Sequence, residues 1–323
     1  MQLFMRSIAI FLKFLIAISI AVQVHCAQAQ AGGQFTAGVN NYLKKRTDAF
    51  MTITGYSLTP DVTTGSLSIT DKGGENQNLQ MISLGGGDRI SANFPLYLEG
   101  TIAFNRYNPT FTDGIGNSSV TVPVKWTGIT GTGGIGWDFP LTDNLRIRPI
   151  ANIMLGHVES DLSVAGRIIE NKTGVDLQFL NGGRMNAYGT GGSLMLDYED
   201  YKPEREYDAE LRYTNIAINT FDSSTAVQGS ADSQSLGLWA RARYPTRLTV
   251  LDRPLRTVFE LAHTEFLGQL RGALGFDSLS SVGTGFEIDR SASDPIFSRV
   301  RLVFRYQFGQ NVRGTSIGLA ASF

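Results

Sequence analysis

The sequence predicts an all-β protein: a transmembrane antiparallel β-barrel of about twelve strands with both termini on the periplasmic side. Three observations carry that expectation. Segments of about ten residues alternate apolar with polar or charged side chains, the signature of strands with one face on lipid. The connections between them alternate short and long. Beyond residue 29 no apolar run reaches the roughly 18 residues of a helical span, which leaves a closed barrel as the way to satisfy backbone polar groups in a bilayer.

The N-terminal end reads as an export leader. Arg6 supplies the positive charge, Ile8 to Val22 is apolar apart from Lys13 and Ser19, and Ala27-Gln28-Ala29 offers a small-x-small cleavage site. Cleavage after Ala29 or Ala31 fits this pattern, and residues 1–29 are read as the signal peptide of Sec-type export. Cys26 is the single cysteine and falls inside the leader, so a disulfide framework or thiolate metal site is not expected. The formal net charge is −1. Removing Arg6 and Lys13 shifts it slightly further acidic, which is no footprint for nucleic acid.

Residues 30–61 precede the first strand as an N-terminal segment. Within it, Val39 to Met51 combines Lys44, Lys45 and Arg46 with Tyr42, Leu43 and Phe50. Two readings stay open for it: a short helix plugging the lumen, or a periplasmic tail.

The barrel is expected over 62–323, with strands near 62–70, 79–90, 96–108, 125–139, 145–159, 184–198, 206–221, 233–245, 254–266, 278–289, 298–309 and 312–323. The clearest alternation sets Val300, Leu302, Phe304, Tyr306 and Phe308 against Arg299, Arg301, Val303, Arg305 and Gln307. Tyr207, Ala209, Leu211 and Tyr213 oppose Asp208, Glu210, Arg212 and Thr214. Leu236, Leu238, Ala240, Ala242 and Tyr244 oppose Trp239, Arg241 and Arg243. Leu145, Ile147, Ala151, Ile153 and Leu155 oppose Arg146, Arg148 and Asn152. An arginine on the lipid face near the midplane costs roughly 2–4 kcal/mol, so the charged faces are assigned to the lumen.

Long connections at 109–124, 160–183 and 222–232 interleave with short ones at 91–95, 140–144 and 199–205, as expected for a chain that starts in the periplasm. Two connections fit less well: 310–311 is short where a long one is expected, and 246–253 is longer than a minimal turn. Tyr97, Tyr107, Trp126, Trp137, Phe139, Tyr188, Tyr198, Tyr207 and Tyr244 fall near strand ends, where aromatic girdles form.

Antiparallel neighbours allow luminal partners to be read from the turns. Asp138 is expected near Arg146, with Arg148 on the same inner face. Asp208 and Glu210 are expected near Arg243 and Arg241, Glu287 near Arg299 or Arg301, and Arg89 near Glu99. Opposite charges paired across strands stabilise a sheet. The expectation is a two-signed network narrowing the periplasmic half of the lumen, set against scattered, solvated charges in an open pore.

The final strand carries Ser316, Gly318, Ala321 and Phe323 in the order polar, spacer, Gly, two spacers, apolar, spacer, aromatic. This resembles the terminal assembly signal of bacterial outer-membrane barrels, with Ala321 smaller than the usual occupant. Together with the strand count and the pre-barrel segment, the chain resembles autotransporter barrels, most nearly the solitary kind without a passenger. The resemblance implies location in the cell outer membrane, contact with outer-membrane lipid and insertion by the barrel-assembly machinery. Residues 30–61 are too few for a secreted passenger domain.

Enzymatic signatures are sparse. Lipid hydrolases of this class place His-x-Ser on a lipid-facing strand. His157 and His263 have lipid-side parity, yet Glu159 and Glu265 stand two positions on, and Ser160 falls on the opposite face from His157. Asp161 and Asp222 do not by spacing specify an omptin-like protease. Gly85-Gly86-Gly87 and Gly131-Thr132-Gly133-Gly134 lack the Lys and helix of a phosphate loop. No catalytic, cofactor-binding or metal residue is assigned. The expected function is a small or gated pore, or a surface-exposed structural barrel; the alternative is a lipid-modifying hydrolase with an atypical site.

Overall fold

The computed structural model describes residues 62–70, 76–91, 94–108, 110–115, 118–123, 125–160, 184–223, 228–289 and 299–322. The leader, residues 30–61, the 161–183 connection and Phe323 lie outside them. The strands are β1 (Val62–Thr70), β2 (Asn76–Ser91), β3 (Phe94–Asn108), β4 (Thr110–Ile115), β5 (Ser118–Pro123), β6 (Trp126–Trp137), β7 (Phe139–Pro140) and β8 (Leu145–Ser160). They continue with β9 (Met185–Lys202), β10 (Arg205–Phe221), β11 (Ser230–Val250), β12 (Arg253–Gly268), β13 (Ser278–Asp289), β14 (Arg299–Gly309) and β15 (Val312–Ser322).

Antiparallel pairing runs from neighbour to neighbour and closes on itself. β1 pairs with β15, with Gly65 opposite Ser316, so the first and last strands leave no edge. β4 and β5 form a separate hairpin within the connection expected at 109–124, and β3 pairs directly with β6, Tyr107 opposite Trp126. β7 carries on from β6 beyond Asp138, whose backbone N–H donates to Pro95 O at 2.9 Å. Counting β6 and β7 as one wall strand, the ring has twelve members.

One end of the ring carries the tight turns at 141–144, 203–204 and 251–252, the short 92–93 link between β2 and β3, and the longer 290–298 connection between β13 and β14. The longer connection expected at 246–253 is corrected. β11 runs on to Val250 and turns through Leu251 and Asp252, both at positive φ (53° and 57°), as in the primed turns that match strand twist. A register shift between Pro245 and Thr249 accommodates Pro245, which has no N–H for the ladder. At the other end the connections are longer, apart from the two-residue turn between β14 and β15.

The two faces are the reverse of a soluble protein's. Leu302, Phe304, Tyr306 and Phe308 point outward and are exposed, whereas Arg301 and Arg305 beside them point inward and are 5% and 3% exposed. Ile153 and Leu155 are exposed while Arg148 and Asn152 are buried. Large apolar residues cover the outside of every fully described wall strand, a surface suited to hydrocarbon rather than to water.

Phe94, Trp137, Phe139, Tyr198 and Tyr244 lie on this outer surface near the tight-turn end, with Phe94 edge-on to Trp137 at 5.6 Å. Three expected girdle residues are corrected: Tyr97, Tyr107 and Trp126 are buried. Tyr97 and Tyr107 share parity with Glu99 and Asn105, and Trp126 shares parity with Thr130, so strand alternation turns all three inward despite their places near strand ends.

Candidate functional site

The lumen holds the chain's chemistry, and β10 is its hub. Glu206, Asp208, Glu210, Arg212 and Thr214 alternate along its inner face, because successive even positions of a strand share one side. Arg212 donates to both carboxylate oxygens of Glu99 on β3, at 2.7 and 2.6 Å. Between β10 and β3 the ring carries β9, β8 and β6, so this pair is a chord across the lumen. Glu99 also accepts from Asn152 Nδ2 at 2.7 Å and from the Tyr97 hydroxyl at 3.2 Å. Arg212 donates to Ser193 Oγ at 2.9 Å and to Thr214 Oγ1 at 3.2 Å, and Ser193 donates to Asn152 Oδ1 at 2.6 Å. The bidentate fork adds direction to the charge attraction. Gly134 makes room for it: a Cβ there would collide with Glu99 and Asn152.

Toward the tight-turn end lie two larger clusters. In one, Arg148 forks onto Asp138, with Nη2 3.0 Å from Oδ2, and reaches Asp197 at 2.9 Å. Its guanidinium stacks 3.8 Å above the Tyr97 ring. Arg146 lies 2.9 Å from Glu199 and 3.9 Å from Asp138, and Arg89 lies 3.8 Å from Asp138. In the other, Glu206 meets Arg299 at 2.6 Å, Arg243 at 3.1 Å, and Arg256. The Glu206–Arg299 pair is a second chord, with β11, β12 and β13 between. Asp208 binds Arg241 at 2.8 Å, Arg243 at 3.0 Å and the Tyr201 hydroxyl. Glu287, fully buried, faces Arg301 at 3.1 Å, Arg243 at 3.5 Å and Arg299 at 3.7 Å.

The residues expected from sequence are thus placed as follows. Asp138 and Arg146 meet, as do Asp208 with Arg241 and Arg243, and Glu287 with Arg299 and Arg301. Arg89 and Glu99 do not pair among the described residues. The register sets Arg89 opposite Tyr97 and Glu99 opposite Gly87, so Arg89 turns to Asp138 while Glu99 crosses the lumen to Arg212. Glu210 stands opposite Trp239 and Asp197 and forms no ion pair among the described residues. Ser316 and Gly318 face inward, and a Cβ on Gly318 would strike the Arg305 guanidinium. The side chains of Ala321 and Phe323 lie outside the described residues.

Sequence reasoning missed Asp197, Glu199, Glu206, Arg256 and Glu260 as members. Their strand parity is readable in the sequence, but alternation does not show which of them meet across several strands. Glu260 pairs with Arg305 at 2.6 Å, two strands away.

The long-loop end of the lumen is apolar instead. Ile216 and Ile218 continue the inner face of β10 beyond Thr214 and join Leu79, Met154, Val158 and Met185 in a buried cluster. The 269–277 connection adds Leu270, Ala273, Leu274 and Phe276. It coils on itself, with Ala273 N–H donating to Leu270 O at 3.0 Å, and Phe276 packs edge-on to Phe266 at 5.7 Å. Among the described residues no cluster of His, Cys, Asp and Glu is arranged to hold a metal.

The closed twelve-strand ring, apolar outside and charged inside, defines an outer-membrane-type β-barrel. No family model matches the chain, and no curated protein matches it. Among solved structures it is similar to the β domain of the Bordetella autotransporter BrkA, at 13% identity over 81% of this chain and 97% of that one, TM-score 0.44. It is similar to the transport unit of the Escherichia coli autotransporter AIDA-I, at 14% identity over 87% and 98%, TM-score 0.46. The translocator domain of NalP from Neisseria meningitidis shares 13% identity over 92% and 96%, TM-score 0.40.

Proposed function

We propose that the chain resides in the outer membrane, surrounded by lipid and delivered by the barrel-assembly machinery, as a small or gated pore whose lumen is constricted by its own side chains. The observation that carries this reading is the bidentate Glu99–Arg212 chord, which ties β3 to β10 through the lumen across the intervening β6, β8 and β9. The apolar cluster at the long-loop end supports it, because ions do not cross a stretch lined by Leu, Ile, Met and Phe without losing hydration.

The alternation of tight turns and long connections supports a topology with both termini periplasmic and the long loops outside. Conductance of the refolded full-length barrel in planar bilayers tests the pore reading: small or intermittent steps are expected, and a large, steady, weakly selective conductance contradicts it. Topology is tested by thiol labelling in whole cells, since Cys26 is the single native cysteine. Arg271→Cys is expected to label from outside and Leu251→Cys to be shielded; the opposite result inverts the topology.

A further inference from the structure

The outer face of β12 and β13 carries a constellation that the lumen does not account for. His263 and Ser280 are direct cross-strand partners, and His263 Nδ1 lies 2.8 Å from Ser280 Oγ. The other ring nitrogen, Nε2, lies 3.3 Å from Oε1 of Glu265, two residues on along β12 and therefore on the same face. An ionised carboxylate only accepts hydrogen bonds. Nε2 therefore carries the ring proton, Nδ1 presents its lone pair, and the Ser280 hydroxyl donates to it. A hydroxyl held on a basic nitrogen, whose ring is oriented by a carboxylate, is the arrangement that activates a serine nucleophile.

All three side chains face outward. His263 shares parity with the exposed Phe259 and Leu261, and Ser280 with the exposed Val282 and Phe286. They also mark a boundary in depth. Below them the outer surface is apolar (Leu238, Leu261, Val282, Tyr306), and beyond them Glu265 and Ser278 are polar. Acyl esters of membrane lipids lie at this level, between hydrocarbon and headgroup.

His157 offers the contrast. Its Nδ1 meets Asn186 Oδ1 at 2.7 Å, and Asn186 is itself held by the Asp222 carbonyl and by Ser223. An amide is no nucleophile, so that histidine bridges strands. The sequence pattern His-x-Ser fails at both histidines because it looks along one strand. At His263 the hydroxyl comes from the next strand instead.

We propose that Ser280, His263 and Glu265 form a nucleophile–base–carboxylate triad on the membrane-facing wall, and that the protein hydrolyses acyl esters of lipids lying against it. Ser280 Oγ bonds to the ester carbonyl carbon as its proton passes to His263 Nδ1. The imidazolium gives that proton to the departing alkoxide, which breaks the original ester bond and leaves an acyl group on Ser280. Water then attacks this acyl carbonyl, handing a proton to Nδ1. The Oγ–acyl bond breaks, fatty acid leaves, and Oγ recovers the proton. Glu265 holds the ring and stabilises its charged form throughout.

The test uses full-length protein refolded into two kinds of vesicle, one of phospholipid and one containing lipopolysaccharide, with released fatty acid measured in each. A fluorophosphonate probe, which labels activated serines whatever the natural substrate, is mapped by mass spectrometry in parallel. Release from one vesicle type and labelling of Ser280 are expected, and the vesicle type that responds identifies the lipid. Ser280→Ala and His263→Asn are expected to lower the rate by at least about 100-fold, and Glu265→Gln by less. His157→Asn is expected to leave it unchanged. Each variant is checked for a folded barrel by its heat-dependent gel mobility. No release from either vesicle with no label on Ser280, or undiminished release from folded Ser280→Ala, overturns the proposal.

Discussion

At the tight-turn end of the lumen, Glu287 and Arg243 are almost wholly buried and each touches several opposite charges. At the long-loop end, Met185, Leu274 and Phe276 are equally buried among apolar neighbours. The same inner face of β10 passes from Glu206 and Asp208 to Ile216 and Ile218. Both ends hide their side chains from solvent, yet by different forces. The charged end depends on each carboxylate keeping its arginines, since a buried charge without a partner is expensive. The apolar end depends on volume, since its members lose contacts when an atom is removed. The first should be sensitive to the identity of single residues, and the second to their size.

The largest effect is expected at Glu206. Glu206→Ala removes one carboxylate from each of Arg243, Arg256 and Arg299 at once and should destabilise the refolded barrel by about 3–5 kcal/mol in urea titration. At the apolar end, Leu274→Ala should cost about 2–5 kcal/mol, and the loss should be unchanged by added salt. A much smaller loss at Glu206 for Gln than for Ala would blur the comparison, because Gln keeps the size and removes only the charge.

A third substitution separates both ends from the outer wall. Phe304→Arg faces lipid, and insertion should weaken by about 2–4 kcal/mol if the position is near the midplane. A comparable loss in detergent and in bilayer would argue against the assigned face. The smallest effect is expected at Arg271→Ala, whose pair with Asp277 at 3.3 Å is largely exposed. It should change stability by less than about 1 kcal/mol, although Arg271 sits in the connection that supplies Leu274 and Phe276 to the apolar cluster.

The wall was legible in the sequence because alternation repeats in every strand. The expected range 62–70 coincides with β1, and 278–289 with β13. Luminal partners across a shared turn were legible for the same reason: Asp208 and Arg241 are register partners. The chords were not, because a nearest-neighbour reading of strands cannot see what lies across a ring. Glu99 was therefore expected at Arg89, and Arg212 was not paired with anything.

The apolar end was missed because Leu270, Ala273, Leu274 and Phe276 fall in a connection, where exposure is the ordinary expectation. The His263 group is not legible along one strand, because its hydroxyl belongs to the next. In each case the missing information is the register between segments distant in sequence, which alternation within one segment does not carry.

A lumen constricted by its own side chains depends most on the Glu99–Arg212 chord, and removing both partners together tests it most directly, since neither is then left buried without the other. In planar bilayers the wild-type barrel is expected to give small or intermittent steps, and the Glu99→Ala/Arg212→Ala double variant a larger and steadier conductance from an equally stable barrel. A wild-type conductance that is already large and steady, and that the double substitution leaves unchanged, would contradict a lumen constricted by its own charges.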